Sequence, residues 1–148
     1  MKKIIAQNKK ARFNYEILDT LVAGISLYGH EVKAIRAGQI SLGESFAKII
    51  AGELWLVGAH INQFKQYTGQ HYDSTRSRKL LVTRRELSYL LGKTQEKGLT
   101  IFPLSIFLQD NKLVKVELGV GRGKKLHDKR ETIKRREQER DLKRKYNF

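Results

Sequence analysis

Arg76, Ser77, Arg78 and Lys79 follow one another in a polar stretch that also holds Tyr67, His71 and Tyr72. Cations of this kind neutralise phosphates, and Tyr and His rings stack on unpaired bases. A second basic cluster lies near the N-terminus, where Lys2, Lys3, Lys9, Lys10 and Arg12 surround Asn8. A third fills the C-terminus: residues 122–148 carry 12 Lys or Arg against 5 Asp or Glu. The plain alternative for the body clusters is that Tyr72 packs under its loop and the charges only meet solvent. Basic residues recurring on both sides of the apolar core favour nucleic acid.

Other chemistries find little support. His30, His60, His71 and His127 have no metal-ligand spacing, so no metal site is expected. His127 and Asp128 are adjacent, and adjacent helical side chains diverge, which argues against an acid–base pair. No G-x-x-x-x-G-K-[ST] phosphate loop is present, and the run GVGRGKK at 119–125 reads as a flexible hinge before a tail. There is no cysteine, hence no disulfide or thiolate chemistry. Neither a cofactor nor an enzymatic activity is expected. Glu31 and Lys33 read as exposed helix residues, and Trp55 as core or rim in preference to a stacking platform.

The net charge is +15 over 148 residues, with +8 in residues 1–121 and +7 in the rest. Both parts being basic points to nucleic acid. The tail lacks the apolar face of an interfacial helix, and no run is long enough to span a bilayer. The expectation is a cytoplasmic protein with no membrane partner.

Positioning these clusters falls to a β-rich body. Phe13, Tyr15 and Ile17 alternate as in a half-buried strand, and residues 21–27 continue it past Gly24, a possible bend. Residues 29–37 read as a helix closed by Gly38. Residues 45–60 read as a hairpin turning at Gly52-Glu53. Residues 65–79 read as a long loop. Thr83 and Glu86 form a capping box, with Val82 and Leu87 as its staple. Leu87, Leu90 and Leu91 then form the buried stripe, and Gly98 ends the helix. A last hairpin turns at Asp110-Asn111, with Val114, Val116, Leu118 and Val120 on one face. Pro103 implies an edge or a bulge. The predicted fold is mainly β: a small oligonucleotide-binding-type β-barrel with two or three short helices. Residues 1–121 would form the RNA-binding domain and 122–148 a basic tail.

The tail has high helix propensity but few apolar residues. Between His127 and Asp141 the only large aliphatic is Ile133. Such a helix has nothing with which to dock on its own core. Two readings stand open: a helix that forms only against a polyanion, or a solvated basic tail.

The chain also resembles bacterial small protein B, the SsrA-binding family that partners transfer-messenger RNA in rescuing stalled ribosomes. The resemblance is carried by NKKAR at 8–12, GHEVKAIRAG at 29–38, ESFA at 44–47, TRSRKLL at 75–81, RREL at 84–87, and GKKLHDKR at 123–130 with the IKRRE that follows. It implies an oligonucleotide-binding barrel that grips the tRNA-like part of transfer-messenger RNA near its elbow. It places Asn8, Lys9, Lys10, Arg12, Arg76, Arg78, Lys79 and Leu81 on the RNA-binding face. It implies that Gly123, Lys124, Lys125, His127, Asp128, Lys129, Arg130, Ile133 and Lys134 belong to a tail that turns helical in the small ribosomal subunit, among its rRNA, at the decoding centre and in the empty mRNA channel. One departure is Val22, where the family is expected to have an acid before Ala-Gly. The competing functions are a generic ribosomal or rRNA-binding protein, and a nuclease or RNA-modifying enzyme for which the sequence supplies no ligand cluster.

Overall fold

The computed structural model describes residues 2–63 and 72–124. Among the described residues, nine strands and three helices run in the order β1 (Lys2–Gln7), α1 (Lys9–Asn14), β2 (Tyr15–Ile25), α2 (Gly29–Arg36), β3 (Ile40–Ser41), β4 (Phe46–Ile50), β5 (Glu53–Val57), β6 (His60–Ile61), β7 (Arg78–Leu81), α3 (Arg84–Thr94), β8 (Leu99–Gln109) and β9 (Leu113–Gly123). Seven strands form one sheet, in the order β1-β8-β4-β5-β7-β2-β9. A further β8–β9 pairing joins the last strand back to the second, so six strands close as a ring, with β1 laid outside it along β8. The predicted mainly β class, with a small curled sheet and short helices, is what the chain forms.

Alternation fills the ring. Val116, Leu118 and Val120 are buried on β9, facing Leu54, Leu56, Ile101 and Ile106, while Lys115 and Glu117 point outward. A smaller cluster of Ala11, Phe102 and Leu104 sits with Tyr15 and Ile17, the Tyr15 and Phe102 rings stacked 4.3 Å apart. The capping box on α3 is present: Thr83 N–H donates to Glu86 Oε1 at 2.9 Å and Glu86 N–H to Thr83 Oγ1 at 3.1 Å. Gly38, at φ +76°, follows the Ala37 cap of α2.

Several expectations need correction. The buried residue of α3 is Leu90, whereas Leu91 is 46% exposed. The helix therefore presents a face set by Leu87 and Leu90. The β4–β5 turn is Ala51-Gly52, both at positive φ, which is the type I′ pattern. Pro103, by contrast, meets its expectation: a register shift separates it from Ser105, and it pairs only with Leu118 of β9, because β1 reaches β8 at Ser105–Gln109 and β4 at Ile101. Phe13 lies in the last turn of α1, and the strand begins only at Tyr15. The glycine run is no hinge: Gly119, Gly121 and Gly123 lie in β9. A Cβ on Gly121 would come within 2.3 Å of Glu16 O, and one on Gly119 within 2.8 Å of the Phe102 ring. Gly119 and Gly121 are required by close packing, whereas a Cβ on Gly123 would meet nothing within 4 Å.

Candidate nucleic-acid interface

Short α1 is held by Asn8. Its Oδ1 accepts from Ala11 N–H at 3.1 Å and its Nδ2 donates to Pro103 O at 3.0 Å, so a nearly buried side chain ties the helix to β8. That leaves Lys9, Lys10 and Arg12 exposed on the helix. Lys10 reaches Glu44 at 3.6 Å and Arg12 reaches Glu117 at 3.8 Å; Lys2 also approaches Glu117, at 3.6 Å. Ion pairs this exposed contribute little to stability and exchange readily for a phosphate.

From Glu117 an outward band crosses the sheet. Val22 is its direct partner on β2; two residues on, Gly24 pairs with Lys115 on one side and with Leu81 on the other. Antiparallel partners share a face. Leu81 lies over Gly24, its Cβ 3.3 Å from where a Gly24 Cβ would stand, and it remains 51% exposed. Lys79 continues the band on β7, opposite Trp55 on β5 and 3.4 Å from Glu53. The fold thus gathers Arg12, Leu81 and Lys79, distant in sequence, along one surface. Val22 faces outward there, and the carboxylate next to it is Glu117.

At the other end of β7 the arrangement is different. Glu31 of α2 is fully buried, not exposed as its sequence position suggests. Its carboxylate accepts from Tyr28 N–H (2.8 Å), from the Tyr72 hydroxyl (2.8 Å), from Arg78 Nε (2.9 Å) and from both Nε (3.2 Å) and Nη2 of Arg76. Arg78 is equally buried. Beyond Glu31, its Nη1 donates to Ala59 O and Arg76 O, and its Nη2 to Ser74 O and the Tyr72 hydroxyl, at 2.9–3.0 Å. All five of its N–H donors are committed internally. Burial pushes the Glu31 carboxyl up, but the bonds from Arg76, Tyr28, Arg78 and Tyr72 outweigh it and hold the group down at about 2. Burial, then the bond to Glu31, pushes the Tyr72 hydroxyl up to about 12. The network locks residues 72–78 against α2.

Arg76 differs from Arg78. Its side chain is 24% exposed, and its Nη1 has only a 3.5 Å contact with Ser77 O. The guanidinium lies over the Tyr28 ring, 4.0 Å from the centroid. Sequence reasoning missed both Glu31 and Tyr28. The first has one local partner, the Tyr28 N–H three residues back, but the side chains that compensate its burial lie 41 to 47 residues away. Lys124 N–H donates to Asn14 O at 2.8 Å and its ammonium lies 5.9 Å from the Phe13 ring, fixing where the chain leaves β9. The assignments at Tyr67 and His71, and those at Lys125, His127, Asp128, Lys129, Arg130, Ile133 and Lys134, fall outside the described residues. Among the described residues, no cluster of His, Asp or Glu could hold a metal, and no helix is long and apolar enough to cross a membrane.

Known proteins match this chain along nearly all its length. It is similar to the "SsrA-binding protein" of Gloeothece citriformis, 51% identical over 96% of this chain and 92% of the relative. The proteins of that name from Synechococcus elongatus (50%; 96% and 92%) and Methylobacterium nodulans (47%; 95% and 89%) match likewise. Among solved structures, a chain from one described as "tmRNA-SmpB: a journey to the center of the bacterial ribosome" superposes with a TM-score of 0.68. That chain is 45% identical, with 82% of this chain and 85% of that one covered. The family model described as "SmpB protein" matches residues 5–147. With a closed sheet of this kind and a match running through body and tail alike, the chain belongs to the SmpB protein family.

Proposed function

We propose that this protein is an RNA-binding adaptor. It binds the tRNA-like part of transfer-messenger RNA and delivers it to stalled ribosomes for trans-translation. The observation that carries the reading is the 45% identity and shared fold with a chain in a tmRNA-SmpB structure. The band from Arg12 to Lys79 supports it: cations that neutralise phosphates flank an exposed aliphatic patch at Leu81 and Val22. Lys9, Lys10, Arg12, Arg76, Lys79 and Leu81 touch the RNA. Asn8 and Arg78 act by holding α1 and the 72–78 loop in place. The adaptor has no catalytic step of its own and works in the cytoplasm. Residues 1–121 carry RNA binding, and 122–148 carry the ribosomal role, with the tail helical in the decoding centre and the vacant mRNA channel. A helix so charged fits a channel walled by rRNA phosphates better than any protein core.

The test pairs gel-shift affinity for the tRNA-like RNA with a tagging assay on ribosomes stalled with truncated mRNA. Deleting residues 125–148 leaves most RNA affinity and abolishes tagging. Asp128→Ala with Lys129→Ala and Arg130→Ala does the same while lowering net charge by one, too little for a general electrostatic loss. Ile133→Pro retains every charge but costs about 3 kcal/mol or more inside a helix. If that variant tags as well as wild type, the tail need not be helical. If tagging and RNA affinity fall together in all these variants, the division of labour is wrong.

A further inference from the structure

Among the described residues, the aromatic ring best placed to meet a base is Tyr28, which no motif marks. It is 56% exposed, and it stands at the opposite end of β7 from Leu81, beside Arg76. Tyr72, the ring nearer Arg76 in sequence, has its hydroxyl tied to Glu31 and is half-buried. Both members of the Tyr28–Arg76 pair are fixed before any ligand arrives. Glu31 holds the Tyr28 backbone through its N–H and Arg76 through Nε and Nη2, and the Tyr28 ring itself lies between the Arg76 guanidinium, 4.0 Å from its centroid, and the His30 ring, 5.8 Å away. Arg78, with every donor committed, buttresses Glu31 from behind. Two cations share this one carboxylate, so the corner keeps a net positive charge. The Nη1 edge of Arg76 is the part of the guanidinium with the weakest internal hold.

We propose that Tyr28 and Arg76 form a second RNA contact, apart from the band that carries Leu81. It rests on the reading that the chain binds transfer-messenger RNA. The Tyr28 ring stacks on one unpaired base, and the Nη1 edge of Arg76 takes the adjoining phosphate. Three properties select this ligand. A fixed ring more than half open to solvent suits the flat face of a base splayed out of a helix. A guanidinium held flat by a buried carboxylate offers a directed fork that needs no further ordering. The positive corner of a +15 chain repels basic partners and attracts polyanions.

The experiment measures affinity for the tRNA-like portion of transfer-messenger RNA across a salt series, for wild type, Tyr28→Ala, Tyr28→Trp and Arg76→Ala. Tyr28→Ala is expected to weaken binding about 5- to 150-fold, the usual range for losing one base–aromatic stack. The slope of log K against log salt stays unchanged, because no phosphate contact is lost. Tyr28→Trp restores affinity to within about twofold, since indole also stacks. Arg76→Ala lowers the slope by roughly 0.7 to 0.9. Melting transitions confirm that the Tyr28 variants remain folded. The proposal is overturned if Tyr28→Ala binds like wild type. It is overturned equally if Tyr28→Ala lowers the slope as Arg76→Ala does and Tyr28→Trp fails to restore affinity, for then the ring only props up the arginine. Failure of wild type to bind this RNA would overturn the broader reading, and this contact with it.

Discussion

Replacing Glu31 by Gln preserves the shape of the side chain and removes the charge around which Arg76, Arg78 and Tyr72 are arranged. The carboxyl sits at about 2 against an ordinary 4.5, a difference of about 2.5 pH units. At 1.36 kcal/mol per unit, the folded state gains about 3 kcal/mol from keeping this group ionised. The group is depressed, so the gain is complete above about pH 4.5 and is lost as pH falls toward 2. Breaking a buried pair from the other side gives a similar figure: an uncompensated Arg78 costs about 3–5 kcal/mol. For a body of this size that lowers the melting temperature by roughly 10–20 °C. Thermal unfolding followed by circular dichroism at pH 7, 5, 3 and 2 checks it. At pH 7 Glu31→Gln melts well below wild type, and the gap narrows through the window from 4.5 to 2. A double variant, Glu31→Leu with Arg78→Met, recovers part of the loss, because neither charge is left buried alone. A gap that is absent at pH 7, or as wide at pH 2 as at pH 7, refutes the reasoning.

Leu90→Asp buries an unpaired charge and should abolish the cooperative melting transition, whereas Leu91→Asp at a half-exposed position should shift it by only a few degrees. Gly121→Ala drives a methyl into Glu16 O and should cost several kcal/mol, read as a lowered urea midpoint with an unchanged m-value. Ala51→Gly relieves a left-handed alanine at φ 52° in the β4–β5 turn and should raise stability by about 0.5–1 kcal/mol in the same assay.

Local signals were legible in this sequence, and contacts between distant segments were not. The α3 capping box, the Gly38 cap of α2 and the Asp110-Asn111 turn each depend on residues within a few positions, and all formed as read. The β9 alternation gave its buried face correctly because period two leaves no choice. On α3, by contrast, Leu90 and Leu91 are neighbours with the same hydropathy. Only β8 and the core, which meet Leu90, decide between them. Gly119 and Gly121 of β9 looked like a hinge because their reason for being glycine is a steric contact with Phe102 and Glu16, over a hundred residues away in the latter case. Glu31 looked exposed because the two guanidiniums that compensate its burial lie 45 and 47 residues on. Basic clusters named the class of partner. Which cations reach outward and which brace the fold required the packing of α2 against the 72–78 loop.

The strand that delivers the tail is bonded on both flanks. β9 pairs with β2 from Tyr15↔Gly123 to Gly24↔Lys115, and with β8 from Leu99↔Arg122 to Gln109↔Leu113. At its exit Lys124 N–H is tied once more, to Asn14 O. Tension applied to the C-terminal residues would therefore run along the strand axis and load two antiparallel ladders in shear at once. An edge strand in the same place would peel away one bond at a time. A pull on the tail moves the whole body, and whatever RNA the body carries moves with it as a rigid load.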